Sequence, residues 1–354
     1  MTQSPRSAAP QSAPRVLVTG GAGYIGSHTL LHLIVAGYDV CVIDNFCNSS
    51  PEVLRRVKAL SGKDVALNEI DIRDAARLSA ACAAYRPDAV IHFAGLKAVG
   101  DSVAEPLLYY ANNVTGTLNL LSAMDAAGCN RIVFSSSATV YGDAQKLPID
   151  ETHPVNPVNV YGHTKAMVET ILAGWCAVDP ARSAAILRYF NPVGAHPSGQ
   201  IGEDPSGTPN NLMPYVARVA AGILPEVGVF GDDFATRDGT GERDYIHVED
   251  LASGHVAALR YLWDHNGSET FNLGTGHGST VMEVLHAYEE ACGKPIPRRI
   301  TPRRAGDTDS SVADPSKANS MLGWRAEATL LDACNSSWKW QSANPAGFAK
   351  GDQA

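Results

Sequence analysis

From Arg15 onward, short β-branched runs alternate with longer amphipathic stretches. Parallel strands joined by helical crossovers impose that rhythm, because the strands are buried on both faces and each helix on one. Residues 16–19, 40–43, 65–70, 89–92, 132–135 and 185–189 read as strands. Between them, residues 104–127 carry Leu107, Leu108, Val114, Leu118 and Leu121 at helical spacing, which predicts one helix with a shared buried stripe. After Asn191 the rhythm gives way to Gly/Pro-rich loops and isolated helices, at 192–211 and again at 295–308. The expected architecture is α/β: a doubly wound, parallel Rossmann-type sheet over 15–190, then a smaller C-terminal α/β lobe over 191–345, with some crossing of the chain between them. Segments 1–14 and 346–354 have little to bury and are expected to be flexible tails. No self-similarity with a period of about 20 to 50 residues is present, which excludes solenoids and propellers.

Composition narrows the chemistry more than the fold. With 354 residues, 45% hydrophobic and 18% charged, the chain is of ordinary globular make-up and long enough for a substantial core. A formal net charge of −9 argues against a nucleic-acid surface, because phosphate binding needs clustered cations. The seven cysteines are scattered without a CxxC pair, so reduced thiols of a cytoplasmic protein are expected rather than disulfides or zinc. No apolar run approaches the roughly 18 residues of a membrane span, and the first residues lack the apolar core of a signal peptide. Neither a membrane nor a nucleic acid is an expected partner.

The sharpest local signal is VLVTGGAGYIG at 16–26, a strand running straight into a glycine-rich turn and a helix. Gly20 permits the tight turn, Gly23 lets backbone amides approach a pyrophosphate, and Gly26 lets the helix pack closely on the strand. The helix N-terminus then faces the negative charge. The spacing is GxxGxxG rather than GxGxxG, and any tight turn wants glycine, so Asp44 decides the reading. At the end of the second strand its carboxylate can accept hydrogen bonds from an adenosine ribose and repel a 2′-phosphate, which favours NAD over NADP. A second signal is YGHTK at 161–165, which sets Tyr161 and Lys165 on one helix face. A cation beside a phenol favours phenolate, so the tyrosine pKa is expected to fall toward the working pH. Alone, the pair could be an ordinary surface contact; beside the glycine turn and Asp44 it reads as a base for a sugar hydroxyl. A third signal, SSSATVYG at 135–142, puts hydroxyls at the C-terminal end of a parallel strand, where ligands bind, although a Ser/Thr turn would look the same. His28 and His32 have i,i+4 spacing but no carboxylate or cysteine nearby in sequence, and His163 faces another side of its helix, so no metal site is expected.

Longer stretches carry a resemblance. IHFAGLKAVG at 91–100, LRYFNPVGAHP at 187–197, PNNLMP at 209–214 and GTGERDYIHV at 239–248 resemble the extended short-chain dehydrogenase/reductase superfamily and, within it, the UDP-glucose 4-epimerase family, over about residues 15–345. The resemblance implies an isomerase that holds NAD and inverts C4 of a UDP-hexose through a 4-keto intermediate. It implies that Tyr24, Ile25, Asp44 and Asn45 contact the adenosine end, with Phe46, Cys47, Asn48 and Ser49 beside them, and that Asp71 and Ile72 contact the adenine. Phe93, Ala94, Gly95, Leu96 and Lys97 would follow the middle of the dinucleotide, and Asn112 and Phe190 the nicotinamide side. Tyr161 matches the general base, Lys165 its partner, and Ser137 the residue that orients the sugar 4-hydroxyl. For the nucleotide sugar it implicates Lys97, Asn191, Asn211 and Leu212, Phe230 beside the uracil, Arg243 and Arg304 on the diphosphate, and Asp307 near the ribose; guanidinium forks suit phosphate oxygens.

Two departures stand out. Val160 replaces a proline often found before the catalytic tyrosine, and Ser311 stands where many relatives carry a bulky tyrosine, which leaves room for a C2 N-acetyl group and extends the expected substrates to UDP-GlcNAc and UDP-GalNAc. A 4,6-dehydratase or decarboxylase of the same superfamily is the first alternative, but the dehydratase pattern needs an Asp-Glu pair where Ala138 and Thr139 stand. A non-catalytic NAD-sensing regulator is the second, and it would be expected to have lost Tyr161 or Lys165. A homodimer is expected, because related enzymes pair two long helices per subunit and segments 104–127 and 161–178 carry apolar residues around more than one face.

Overall fold

Both faces of β1 (Arg15–Thr19) are covered: Val16 and Val18 enter one apolar core and Leu17 another, all fully buried. The same alternation runs through β2 (Asp39–Asp44) and β4 (Ala89–His92), where Val42 and Ile91 face one core and Ile43 and Val90 the other. A sheet buried on both sides needs helices on both sides, which is the doubly wound arrangement. The computed structural model describes residues 13–304 and 306–348; the tail expectations for 1–12 and 349–354 lie outside those residues. β3 (Ala66–Glu69), β5 (Arg131–Ser137) and β6 (Ser183–Tyr189) complete the six strands expected from the apolar runs.

Beyond them come β7 (Asn191–Val193), β8 (Val227–Phe230), β9 (Glu242–His247), β10 (Gly267–Leu273), β11 (Gly278–Thr280), β12 (Arg298–Thr301) and β13 (Ser310–Ser311). The chain returns from the second lobe to add β10 to the main sheet, giving the order β10-β6-β5-β4-β1-β2-β3 with all neighbours parallel. Strand order reverses between β1 and β4, and the crevice at their C-terminal ends is where open α/β sheets take ligands. The second lobe builds a small sheet around β9, flanked by β7, β11 and β13, and a separate β12-β8 pair. Its core includes Val216, Val229, Leu285, Tyr288 and Cys334.

The single helix expected over 104–127 is instead three pieces. A short helix ends at Ala104; Glu105 sits at φ −127°, outside the helical region, because the following Pro106 crowds it. Helix resumes at Pro106–Tyr109, passes through a π-turn at Tyr110–Thr115 and continues as Gly116–Ala127. The extra residue accommodated by the π-turn rotates the face that meets the core. Tyr109, Asn112, Asn113, Thr117, Leu120, Leu121 and Met124 are buried, whereas Leu107 (82% exposed), Leu108 and Leu118 face outward, so the expected stripe holds only at Leu121 and, in part, Val114. All seven cysteines are free thiols. Among the described residues, no helix is long and apolar enough to cross a membrane.

Candidate active site

The turn after β1 is fixed by backbone sterics. Gly20 has φ +69°, and a Cβ there would lie 2.7 Å from the Ala94 nitrogen. A Cβ on Gly26 would lie 2.3 Å from the Gly20 carbonyl oxygen, so the helix Tyr24–Val35 approaches the turn closely only with glycine at that position. Gly23 is the N-cap, with no side-chain cap and no acidic residue in the first turn. The leading N–H groups of this helix are thus left for an acceptor from outside the helix, as a pyrophosphate requires.

Asp44, buried at the end of β2, accepts from Ala22 N (3.0 Å), Phe46 N (2.9 Å) and Ser49 Oγ (2.8 Å). Those three bonds leave lone-pair capacity for a ribose hydroxyl. These features fit NAD, and the Asp44 charge opposes a 2′-phosphate. The Asn45–Ser49 loop follows directly, with Phe46 at φ 55° and Cys47 exposed. Beyond β3, Asp71 is bonded by Asn45 Nδ2 (3.0 Å) and by Arg73, whose guanidinium holds that carboxyl well below the usual range. Ile72 is buried against Gly116. The Tyr24 phenol donates to Gly194 O (2.6 Å).

The loop after β4 links the turn to the chemistry. Ala94 touches Gly20, and a Cβ on Gly95 would lie 3.6 Å from Lys165 Nζ. Asn113, not singled out from sequence, holds this loop: its Oδ1 accepts from Leu96 N (2.8 Å), and its Nδ2 donates to Leu96 O (3.0 Å) and Thr164 Oγ1 (3.1 Å). Asn112, expected on the nicotinamide side, donates to Asn113 Oδ1. Lys97 Nζ donates to Glu203 Oε1 (3.1 Å), which also accepts from Asn211 Nδ2 (3.2 Å). One carboxylate, also missed from sequence, therefore joins an expected cofactor contact to an expected sugar-nucleotide contact.

Tyr161 and Lys165 lie near the start of the helix Val160–Ala177, which Asn159 caps through Gly162 N (2.8 Å). Val160 occupies the first helical position, where proline is tolerated because its missing N–H would be unpaired anyway, so valine and proline are interchangeable in this geometry. Ser137 ends β5 and accepts from Thr139 N and Oγ1 (3.2 and 3.0 Å). The expected lowering of the tyrosine pKa by lysine is corrected by this geometry. Lys165 Nζ donates to Ser135 O (2.6 Å) and lies 5.7 Å from the Tyr161 ring centre. Burial pushes Tyr161 up to about 12, opposed by the Ser137 hydroxyl, and pushes Lys165 down to about 8, opposed by Glu169. In the protein alone, desolvation is the largest cause acting on the phenol.

The second lobe brings together residues far apart in sequence. Arg304 stacks over the Phe230 ring (3.7 Å), and Arg243 donates to the carbonyls of Glu242 and Thr308 with Asp307 at 4.0 Å. Ser311 pairs with Arg243 in parallel register, so both side chains lie on one face of the β9-β13 pair, while Ser310 on the other face bonds Glu242. Asn191 opens β7, Asn211 and Leu212 open the helix Leu212–Ala220, and Phe190 is buried beside Tyr141 and Ala313. The carboxylate that His28 and His32 lack in local sequence arrives through the fold: Glu249 lies 3.0 Å from His32 and 3.7 Å from His28, whose pKa burial pushes down to about 4. Among the described residues, no group of three or more His, Cys, Asp or Glu side chains is arranged to hold a metal ion.

Residues 16–274 match the model of the NAD dependent epimerase/dehydratase family. The chain is 54% identical over 333 residues to the UDP-glucose 4-epimerase of Bacillus subtilis, covering 94% of this chain and 98% of that protein. It superimposes with a TM-score of 0.91 on the UDP-glucose 4-epimerase of Bifidobacterium longum solved with NAD+ and UDP, at 54% identity, covering 94% of this chain and all of that one. The TM-score is 0.92 against the Stenotrophomonas maltophila UDP-glucose-4-epimerase with bound NAD and formylated UDP-arabinopyranose, at 51% identity over 94% and 99% of the two chains.

Proposed function

The chain belongs to the NAD dependent epimerase/dehydratase family, and from that premise we propose that it interconverts UDP-galactose and UDP-glucose by inverting C4 through a 4-keto sugar. One observation carries the reading. Tyr161, Lys165 and Ser137 converge on the strand ends reached by the glycine turn, while Ala138 and Thr139 supply no acid/base pair for dehydration.

When bound, NAD supplies the acceptor and then the donor of the C4 hydride. The protein's residues handle the proton and the geometry. Tyr161 takes the 4-hydroxyl proton and later returns it, Ser137 orients that hydroxyl, and Lys165 holds positive charge beside the exchange. Burial pushes Tyr161 up in the protein alone, so positive charge brought beside the phenol would favour the phenolate. Inversion requires the keto-sugar ring to turn over, so binding energy is concentrated on the unchanging UDP, through Asn211, Phe230, Arg243, Arg304 and Asp307, and the hexose is held loosely. In this reading residues 15–190 serve the cofactor and 191–345 the nucleotide sugar.

The test is product analysis of purified protein with UDP-galactose and with UDP-glucose, without added reductant. Each should yield the same equilibrium mixture with no net NADH; a one-way product or a dehydrated sugar refutes the assignment. The seven free thiols accord with a cytoplasmic enzyme. The outward Leu107 and Leu118, with exposed Met167 on the neighbouring helix, support a homodimer through these helices, which a monomeric mass by light scattering at micromolar concentration would refute.

A further inference from the structure

One turn beyond Lys165, Glu169 is buried against the sheet, where a carboxylate is costly unless it is fully paired. Its Oε1 accepts from Ser136 Oγ on β5 (2.5 Å) and Arg188 Nε on β6 (2.9 Å), and its Oε2 accepts from Arg188 Nη2 (2.5 Å). The Arg188 guanidinium also lies 4.8 Å from the centre of the Tyr141 ring, whose hydroxyl donates to Asn272 Oδ1 on β10 (2.6 Å). One carboxylate thus ties the catalytic helix to β5 and β6 directly and to β10 through two further side chains. An apolar pair of similar size would pack these elements without the cost of burying two charges. What it would not do is hold the helix at one height or place a negative charge near Lys165.

Both properties bear on the site. Tyr161, Lys165 and Glu169 are spaced i, i+4, i+8 and share one helix face. Ser135, Ser136 and Ser137 are consecutive on β5, so the bond from Ser136 to Glu169 sets the height at which Lys165 meets the Ser135 carbonyl and Tyr161 meets Ser137. The titratable and charged groups around Lys165 and Tyr161 are Glu169 on their own helix, His92 on β4, Arg188 and Tyr189 on β6, and Tyr109 from the Pro106–Tyr109 helix. His92 is held neutral by burial, at about 3, and burial pushes both tyrosines up, which leaves Glu169 as the anion of the set.

We propose that Glu169 and Arg188 form a positioning pair for proton transfer: the carboxylate fixes the height of the catalytic helix against Ser137 and keeps Lys165 in its charged form. This rests on the reading of Tyr161 and Lys165 as the proton-handling pair. The test uses the enzyme with its bound dinucleotide and follows kcat and KM for UDP-galactose between about pH 6 and 10. Glu169→Gln keeps size and removes charge. It should lower kcat roughly 10-fold or more at alkaline pH, move the alkaline limb down by about one pH unit, and leave KM within about 3-fold. Because the single change strands the Arg188 guanidinium, Glu169→Gln combined with Arg188→Met removes both charges. That double variant should regain the wild-type melting temperature without regaining the alkaline limb.

A purely structural pair predicts the reverse, with activity and limb returning together with the fold, and a folded double variant with a wild-type limb overturns the proposal. An inactive wild type overturns the functional reading and this proposal with it. An active wild type inactivated by Tyr161→Phe, together with an unshifted limb in the double variant, overturns this proposal alone.

Discussion

The turn after β1 and the rim of the second lobe are each assigned a diphosphate, and they are built for it by opposite means. The first uses backbone: glycines at 20, 23 and 26, a helix start without a cap, and no tolerance for a methyl group at Gly26. The second uses side chains: two arginines from separate elements, one stacked on Phe230 and one anchored to two carbonyls. Backbone N–H groups in a tight turn are held fixed relative to one another, which suits a ligand held in one pose. Guanidiniums on long stems can follow a ligand whose sugar must turn over. A rigid grip suits the dinucleotide proposed for the turn, and an adjustable one the nucleotide sugar proposed for the second lobe.

The strongest test of that division lies outside both grips. Tyr161→Phe should lower kcat by at least about 100-fold while bound dinucleotide and UDP affinity stay near wild type, since the phenol belongs to neither grip. Near-wild-type turnover would remove Tyr161 from the chemistry. Next in size is Gly26→Ala, which forces a Cβ to within 2.3 Å of the Gly20 oxygen. Strain of about 1–3 kcal/mol at this position should weaken dinucleotide retention by roughly 5- to 150-fold and leave UDP affinity intact. Equal losses at both sites would mean that the grips are not independent. Arg304→Ala should act on the opposite side only, raising KM for UDP-galactose by about 10-fold, in line with the loss of one charge-assisted contact. Unchanged KM would confine Arg304 to its stacking on Phe230.

The same contrast explains what could be read from the sequence. Six of the seven strands of the main sheet and the turn at 16–26 were legible because their cause is local: alternation buried on both faces, and glycine where a Cβ has no room; β10 was not, because the chain reaches the sheet only after passing through the second lobe. Asp44 was legible because it ends the next strand, one helix after the turn. Asn113, Glu203 and Glu249 were not, since each gains its meaning from a partner delivered by another element: Asn113 from the Leu96 backbone, Glu203 from Lys97, Glu249 from His32. The buried stripe over 104–127 was misphased because periodicity assumes an uninterrupted helix, and Pro106 with the following π-turn breaks that assumption. The tyrosine was recognisable by its spacing from Lys165, but the direction of its shift was not, because burial, the larger cause, is a property of the folded protein.

The smallest expected effect on the parent reaction comes from Ser311, and it is the most selective. Strand pairing puts Ser311 on the face of β9 that carries Arg243, beside the group assigned to the diphosphate, where the hexose of a bound nucleotide sugar begins. A serine there leaves volume that a tyrosine ring would fill, and overfilling costs about 1–3 kcal/mol, whereas an unfilled polar corner can hold water. The native enzyme should therefore interconvert UDP-GlcNAc and UDP-GalNAc in addition to the plain pair, because serine leaves the volume that a tyrosine would take from the larger sugar. Ser311→Tyr should depress kcat/KM for the acetylated substrates by roughly 10-fold while leaving the plain substrates within about 3-fold, since only the acetylated sugars need the volume that the ring would take. The ratio of the two specificity constants, in native and substituted protein, is the measurement. If the native enzyme ignores UDP-GalNAc, or if tyrosine lowers both reactions equally, then neighbouring side chains already close the corner, and the looseness attributed to the second lobe is confined to the diphosphate grip.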